Sequence, residues 1–193
     1  MLLGLWFFAG KVTNNFFASS ALAAAWFAVT LLTGFLIARS FRDLAVPLAI
    51  ALIGTWAVAG GYLAWTTLRV TVVHERIAVA SPRSGNVQLA GGRFTSGEHR
   101  TTGRAVVVRL RTGGRVLTLD LRTSPGPDLR VYLAPGDGRD VGDHRDLGAL
   151  KGDRGTQQYD LPPDVDLRRY TAVVIYCRAF SAPFGAAVLR APA

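Results

Sequence analysis

Apart from Met1, the side chains of this sequence suited to binding a soft metal or exchanging electrons are one cysteine, Cys177, and three histidines, His74, His99 and His144. A single thiol cannot close an intrachain disulfide. A blue-copper centre needs a cysteine and two histidines, usually with one just downstream, and "CRAFSAPFGAAVLRAPA" supplies neither His nor Met after Cys177. Covalent haem needs a Cys-x-x-Cys-His run, which one cysteine cannot make. The loop Gly136–Asp146 carries Asp137, Asp140, Asp143, His144 and Asp146 but lacks the alternating oxygen ligands and closing Glu of an EF-hand. It is expected to be an ordinary polar loop. No Gly-x-Ser-x-Gly, His-Glu-x-x-His or glycine-rich phosphate loop occurs, so no hydrolase or nucleotide chemistry is indicated.

Cys177 sits in "YTAVVIYCRAF", whose alternation places it on one face with Val173, Ile175 and Ala179. Two roles stay open. As a small hydrophobe it would pack in a core, where free cysteine is common. Outside the cytoplasm an unpaired thiol is a liability, and a lone one there points to a reactive or ligating role. The choice turns on which side of a membrane that strand lies.

The elements that decide this are N-terminal. Residues 16–38 and 44–68 are two uncharged runs, each longer than the roughly 20 residues a helix needs to cross a bilayer. The link "RSFRD" is short enough to force an antiparallel hairpin, and Arg39 and Arg42 mark it as cytoplasmic by the positive-inside rule. The expectation is a multi-pass cell-membrane protein with everything after Leu68 extracytoplasmic. Residues 1–15 are apolar but too short to span, and are expected to form a short interfacial segment.

From Arg69 the pattern changes to short alternating segments broken by Gly, Pro and Asp. Residues 69–91 read as a connector, in which "RVTVVHERIAVA" alternates loosely and could be a strand or an extended link, with the turn-rich "SPRSGNVQLAGG" leading into a domain at 92–190. "RAVVVRLR", "RVLTLDL", "DLRVYLAP" and "YTAVVIYCRAF" each show the period of two of a half-buried strand. The expected fold class is all-β, an antiparallel β-sandwich tethered by a two-helix transmembrane hairpin. The formal charge of +9 is mostly arginine, dispersed among acidic residues without a stacking platform, which argues against nucleic acid. A basic domain beside anionic lipid is the plainer account, with the lipid bilayer as partner.

Five motifs in order carry a resemblance to a known family. They are "GRFTSGEHRTTG" with Phe94, Gly97, His99 and Gly103; "GPDLRVYL" from Gly126 to Leu133; "LKGDRG"; "YDLPPDVDLRRY" from Tyr159 to Tyr170; and "VVIYCRAFSAPFGAAVL" with Cys177, Phe180, Phe184, Gly185 and Ala187. Residues 92–189 resemble the DM-thirteen domain, the "electron transfer DM-thirteen" family. The resemblance implies an extracytoplasmic redox role in which Cys177 acts as a bare thiol or as a ligand to a group such as non-covalent haem. Members often carry Trp before the cysteine, where this chain has Tyr176. If haem is held, His99 is the natural second ligand, since His74 precedes the domain and His144 lies in the acidic loop. A redox partner or an envelope component would then be the protein partner. The alternative is a non-catalytic β-sandwich binding module in which Cys177 is only packed.

Overall fold

The structure is a computed structural model, and it describes residues 16–192. The segment 1–15, expected to be interfacial, lies outside the described residues. The chain divides into two compact units, a helical one that runs to Leu68 and also takes in Arg178–Ala182, and a β-rich one of Arg69–Cys177 with the residues from Pro183 onward.

The helical unit is a hairpin of α1 (Phe16–Ser40) and α2 (Arg42–Leu68). Its turn is as tight as "RSFRD" requires: only Phe41 is non-helical, and its N–H donates to Ile37 O at 2.9 Å. Gly34 lets the helices approach, because a Cβ there would meet Leu52 Cδ1 at 2.5 Å. Phe27 and Trp56 pack with ring centroids 4.5 Å apart. Helical hydroxyls return their protons to the turn before, Thr55 to Ala51 O at 2.7 Å and Ser40 to Leu36 O at 3.0 Å. The outward faces are apolar: Val46, Ile50, Ile53 and Val58 are each about two-thirds exposed. Among the described residues, one stretch, Ala45–Tyr62, is long and apolar enough to cross a membrane. α1 contributes a shorter apolar stretch, Ala24–Ser40.

The β-rich unit contains β1 (Val72–His74), β2 (Val87–Ser96), β3 (Thr102–Arg109), β4 (Arg115–Arg122), β5 (Leu129–Ala134), β6 (Arg145–Ala149), β7 (Arg154–Leu161), β8 (Ala172–Cys177) and β9 (Ala182–Val188). They hydrogen-bond as one nine-stranded sheet in the order β1-β7-β4-β3-β2-β9-β8-β5-β6, curled into a half-barrel. The alternation in the sequence fixes what faces inward. Leu117, Leu119 and Leu121 of β4 and Val131 and Leu133 of β5 are at most 3 % exposed. Burying each such side chain contributes about 1.5–3 kcal/mol. The ion pairs on the surface, such as Arg145–Asp164 with both side chains about half exposed, contribute about 0–1 kcal/mol. The core holds the sheet.

Two expectations need correction. The sheet is mixed rather than purely antiparallel: β1 runs parallel to β7, with Val73 opposite Gly155. It is also one curled sheet where a two-sheet sandwich was expected. The physical reason lies in residues read as connector. Thr71 N–H donates to Asp153 Oδ2 and Thr71 O accepts from Asp153 N, both at 2.8 Å, which docks β1 on the edge of β7. Gly155, at φ 104°, gives the room: a Cβ there would overlap the Val73 carbonyl. The strap that follows is held down as well. Ala78 N–H donates to Gln158 Oε1 at 2.8 Å, and Lys151 Nζ pairs with Glu75 at 2.8 Å.

Candidate functional site

Cys177 is the last residue of β8, fully buried, with Leu129 as its register partner on β5. β8 differs from the half-buried strand expected: Ala172, Val173, Val174 and Ile175 are all 0 % exposed. Val173, Ile175 and Cys177 share the inner face, as alternation predicts. The outer face is covered by the acidic loop. Gly138, at φ 80°, lies so close that a Cβ would meet Val174 Cγ2 at 2.7 Å and Ala172 Cβ at 3.1 Å. Val141 from the same loop packs on Tyr132 and Val174.

The loop's carboxylates serve its own shape. Asp137 and Asp140 accept from the N–H groups of Arg139 and Gly142. Asp143 pairs with Arg169 and Asp146 with Arg130, each at 2.7 Å. His144 holds Val141 O through Nδ1 at 2.6 Å and stacks on Tyr132 at 3.9 Å. Tyr132 in turn stacks on Tyr176 at 5.2 Å, so the tyrosine before the cysteine belongs to a stack on the outer face. Cys177 points to the other face.

His99 lies in the β2–β3 turn, and its ring centroid is 4.0 Å from that of Phe184 on β9. Backbone bonds lock this turn to β9: Gly97 N–H to Phe184 O and Glu98 N–H to Pro183 O, both 2.9 Å. The buried Thr101 hydroxyl lies 3.0 Å from Phe184 O and 2.8 Å from the Thr123 hydroxyl. Gly126 opens space for the Phe184 ring; a Cβ there would meet Phe184 Cζ at 3.1 Å and Leu129 Cδ2 at 2.9 Å. His99 thus rests on Phe184, while Cys177 has Leu129 as its cross-strand partner. His74 lies on the edge strand β1, six places from β8 in the strand order.

The "LKGDRG" motif builds a buried polar latch that the sequence did not mark. Gln157, 0 % exposed, accepts from Lys151 N–H at 2.9 Å and from the Tyr159 hydroxyl at 2.8 Å, and donates to Gly152 O at 2.8 Å. Burial pushes the Tyr159 phenol up to about 12. The available signal was Gln157 on the inward phase of β7, in step with Tyr159 and Leu161.

These elements, from the β2–β3 turn to Cys177 and β9, coincide with a match to the family model "Electron transfer DM13" over residues 93–189. The chain belongs to this family. Comparison with curated proteins and with solved structures finds no significant match. Four of the five motifs now have physical roles. Two of them, "GRFTSGEHRTTG" and "GPDLRVYL", shape the Phe184 neighbourhood, and "LKGDRG" forms the latch. The closing DM13 motif places Cys177 in the core.

Proposed function

We propose that this chain is a membrane-anchored DM13 domain that transfers electrons outside the cytoplasm, with Cys177 as its redox group. The observation that carries the reading is the DM13 match, which spans the chain's one thiol. The apolar outward faces of α1 and α2 support insertion of both helices as a hairpin. The basic turn of Arg39 and Arg42 supports an orientation with the β-rich unit extracytoplasmic.

The step is thiol–disulfide exchange with a partner's disulfide. Cys177 loses its proton, its sulfur attacks one sulfur of that disulfide, the S–S bond breaks and the other sulfur leaves as a thiolate that takes up a proton. Cys177 is oxidised to a mixed disulfide and the partner's second sulfur is reduced. A thiol with no exposed surface reacts only when its end of β8 opens, so exchange is slow with bulk disulfides. That burial also favours a second reading, a binding module in which Cys177 is packing. The two separate on a Cys177→Ala chain that reaches normal abundance in its membrane. Loss of electron transfer to the partner supports the first, and unchanged transfer supports the second.

A further inference from the structure

We infer that the outer face of β1, β7, β4 and β3 carries a binding site for an oxyanion of the phosphate class. An open cavity of about 510 Å³ lies there, lined by Val72, His74, Thr102, Asp120, Arg122 and Arg154, with Gly103, Leu121 and Gly155 between them. The registers explain its form. Thr102, Arg122, Arg154 and Val72 are successive cross-strand partners, which makes one exposed row. Arg104, Asp120, Thr156 and His74 make the next row. The row between is Gly103, Leu121 and Gly155, whose alternation turns Leu121 inward and whose two glycines carry no side chain. The cleft therefore has side-chain walls and a backbone floor.

The charge at this site is unbalanced. Arg122 and Arg154 stand directly opposite one another, and among the described residues neither makes an ion pair or a side-chain hydrogen bond. Like charges directly opposed across strands are destabilising. Two other arginine pairs stand opposed: Arg109–Arg115 is relieved because Arg115 donates to Pro162 O and Pro163 O at 3.0 Å each, and in Arg93–Arg104 the second arginine has the Asp120 carboxylate as its partner on the other side. Arg122 and Arg154 have no such acceptors and share a cavity. Two guanidinium forks over a pocket match the oxygens of a phosphate group. Thr102 adds a hydroxyl to the same row. Asp120 is the carboxylate lining the cavity and faces Arg104 across the strands; it would accept from a hydroxyl or amine on the ligand. This inference stands apart from the redox reading, since no lining residue belongs to the Cys177 neighbourhood.

Phosphate can reach the site free or as a lipid headgroup; only Arg69, Val70 and Thr71 separate Leu68 from Val72 in the chain. The test is titration of the full chain in phosphatidylcholine nanodiscs with inorganic phosphate at constant ionic strength, read as the thermal midpoint of the β-rich unit. The expected result is a saturable rise for the wild type and for Arg111→Gln, an exposed arginine outside the cavity. Arg122→Gln/Arg154→Gln should bind at least ~tenfold more weakly, about 1.4 kcal/mol. Exposed Arg→Gln changes keep the sheet folded, and circular dichroism checks this. A second arm uses nanodiscs containing phosphatidylglycerol: loss of the phosphate response there identifies the headgroup as occupant, and an unchanged response identifies a free phosphate. A rise no different from that given by chloride, or equal binding by the double variant, overturns the inference.

Discussion

The rings of His99 and Phe184 lie 4.0 Å apart, centroid to centroid, at an angle of 38°. The contact pins the β2–β3 turn to β9, and it makes the histidine of the opening motif a packing partner of the closing one. His99→Ala should therefore lower stability by about 0.5–1.5 kcal/mol, the usual size of such a ring pair. Phe184→Ala should cost about 3–5 kcal/mol. Chemical denaturation of the full chain followed by tryptophan-independent circular dichroism measures both. If His99→Ala is silent while Phe184→Ala is severe, the stacking carries no weight.

Haem gives a second test of the same packing. With His99 stacked on Phe184 and Cys177 fully buried, the full chain supplied with haem should show no saturable binding that depends on both residues. Absorbance titration of wild type, Cys177→Ala and His99→Ala should give three equal traces. A thiolate-type spectrum lost in both variants would mean that the hydrocarbon moves aside.

Cys177 itself packs with no exposed surface. Cys177→Ala should cost about 1 kcal/mol or somewhat more through lost contacts and a small cavity. Cys177→Ser should cost more, because a buried hydroxyl needs a partner. Denaturant midpoints of the two variants settle the order; a more stable serine variant would show that water or a hydrogen-bond acceptor reaches the site.

Alkaline stability should reveal the latch. The Tyr159 phenol is raised from an ordinary value of 10 to about 12, first by burial. Between those pH values the unfolded chain has lost a proton that the folded chain keeps. The contribution of Tyr159 is therefore full below pH 10 and is lost as pH rises through about 12. Unfolding midpoints should fall across that window in the wild type, and Tyr159→Phe should flatten the fall. An unchanged slope in Tyr159→Phe would assign alkaline loss to another group.

Much of this architecture was legible in the sequence. Leu117, Leu119 and Leu121 alternate with polar neighbours, and the structure buries them as read. The "RSFRD" turn between two apolar runs fixed a helical hairpin. β1 was not legible as a parallel strand, because its partner Arg154–Thr156 lies about 80 residues away and three residues carry little period. β8 read as half buried because alternation cannot show that Gly138 and Val141 fold over its outer face. Cys177 and His99 were found from motifs, but the seat of His99, a Phe184 ring in space left by Gly126, is a long-range contact with no local pattern. Topology stays a test of its own: a reporter that works only outside the cytoplasm should be active when fused after Ala193 and silent when inserted at Ser40. The reverse pattern would place the thiol in the cytoplasm.

The most direct test of the redox account is the state of Cys177 in the folded full chain as the glutathione poise is changed. Intact-mass measurement, with circular dichroism on the same samples, follows one glutathione added to the wild type and none to Cys177→Ala. The account predicts slow, reversible addition while the β signal stays native. Addition only after denaturant has unfolded the sheet would contradict it and leave Cys177 a packed side chain.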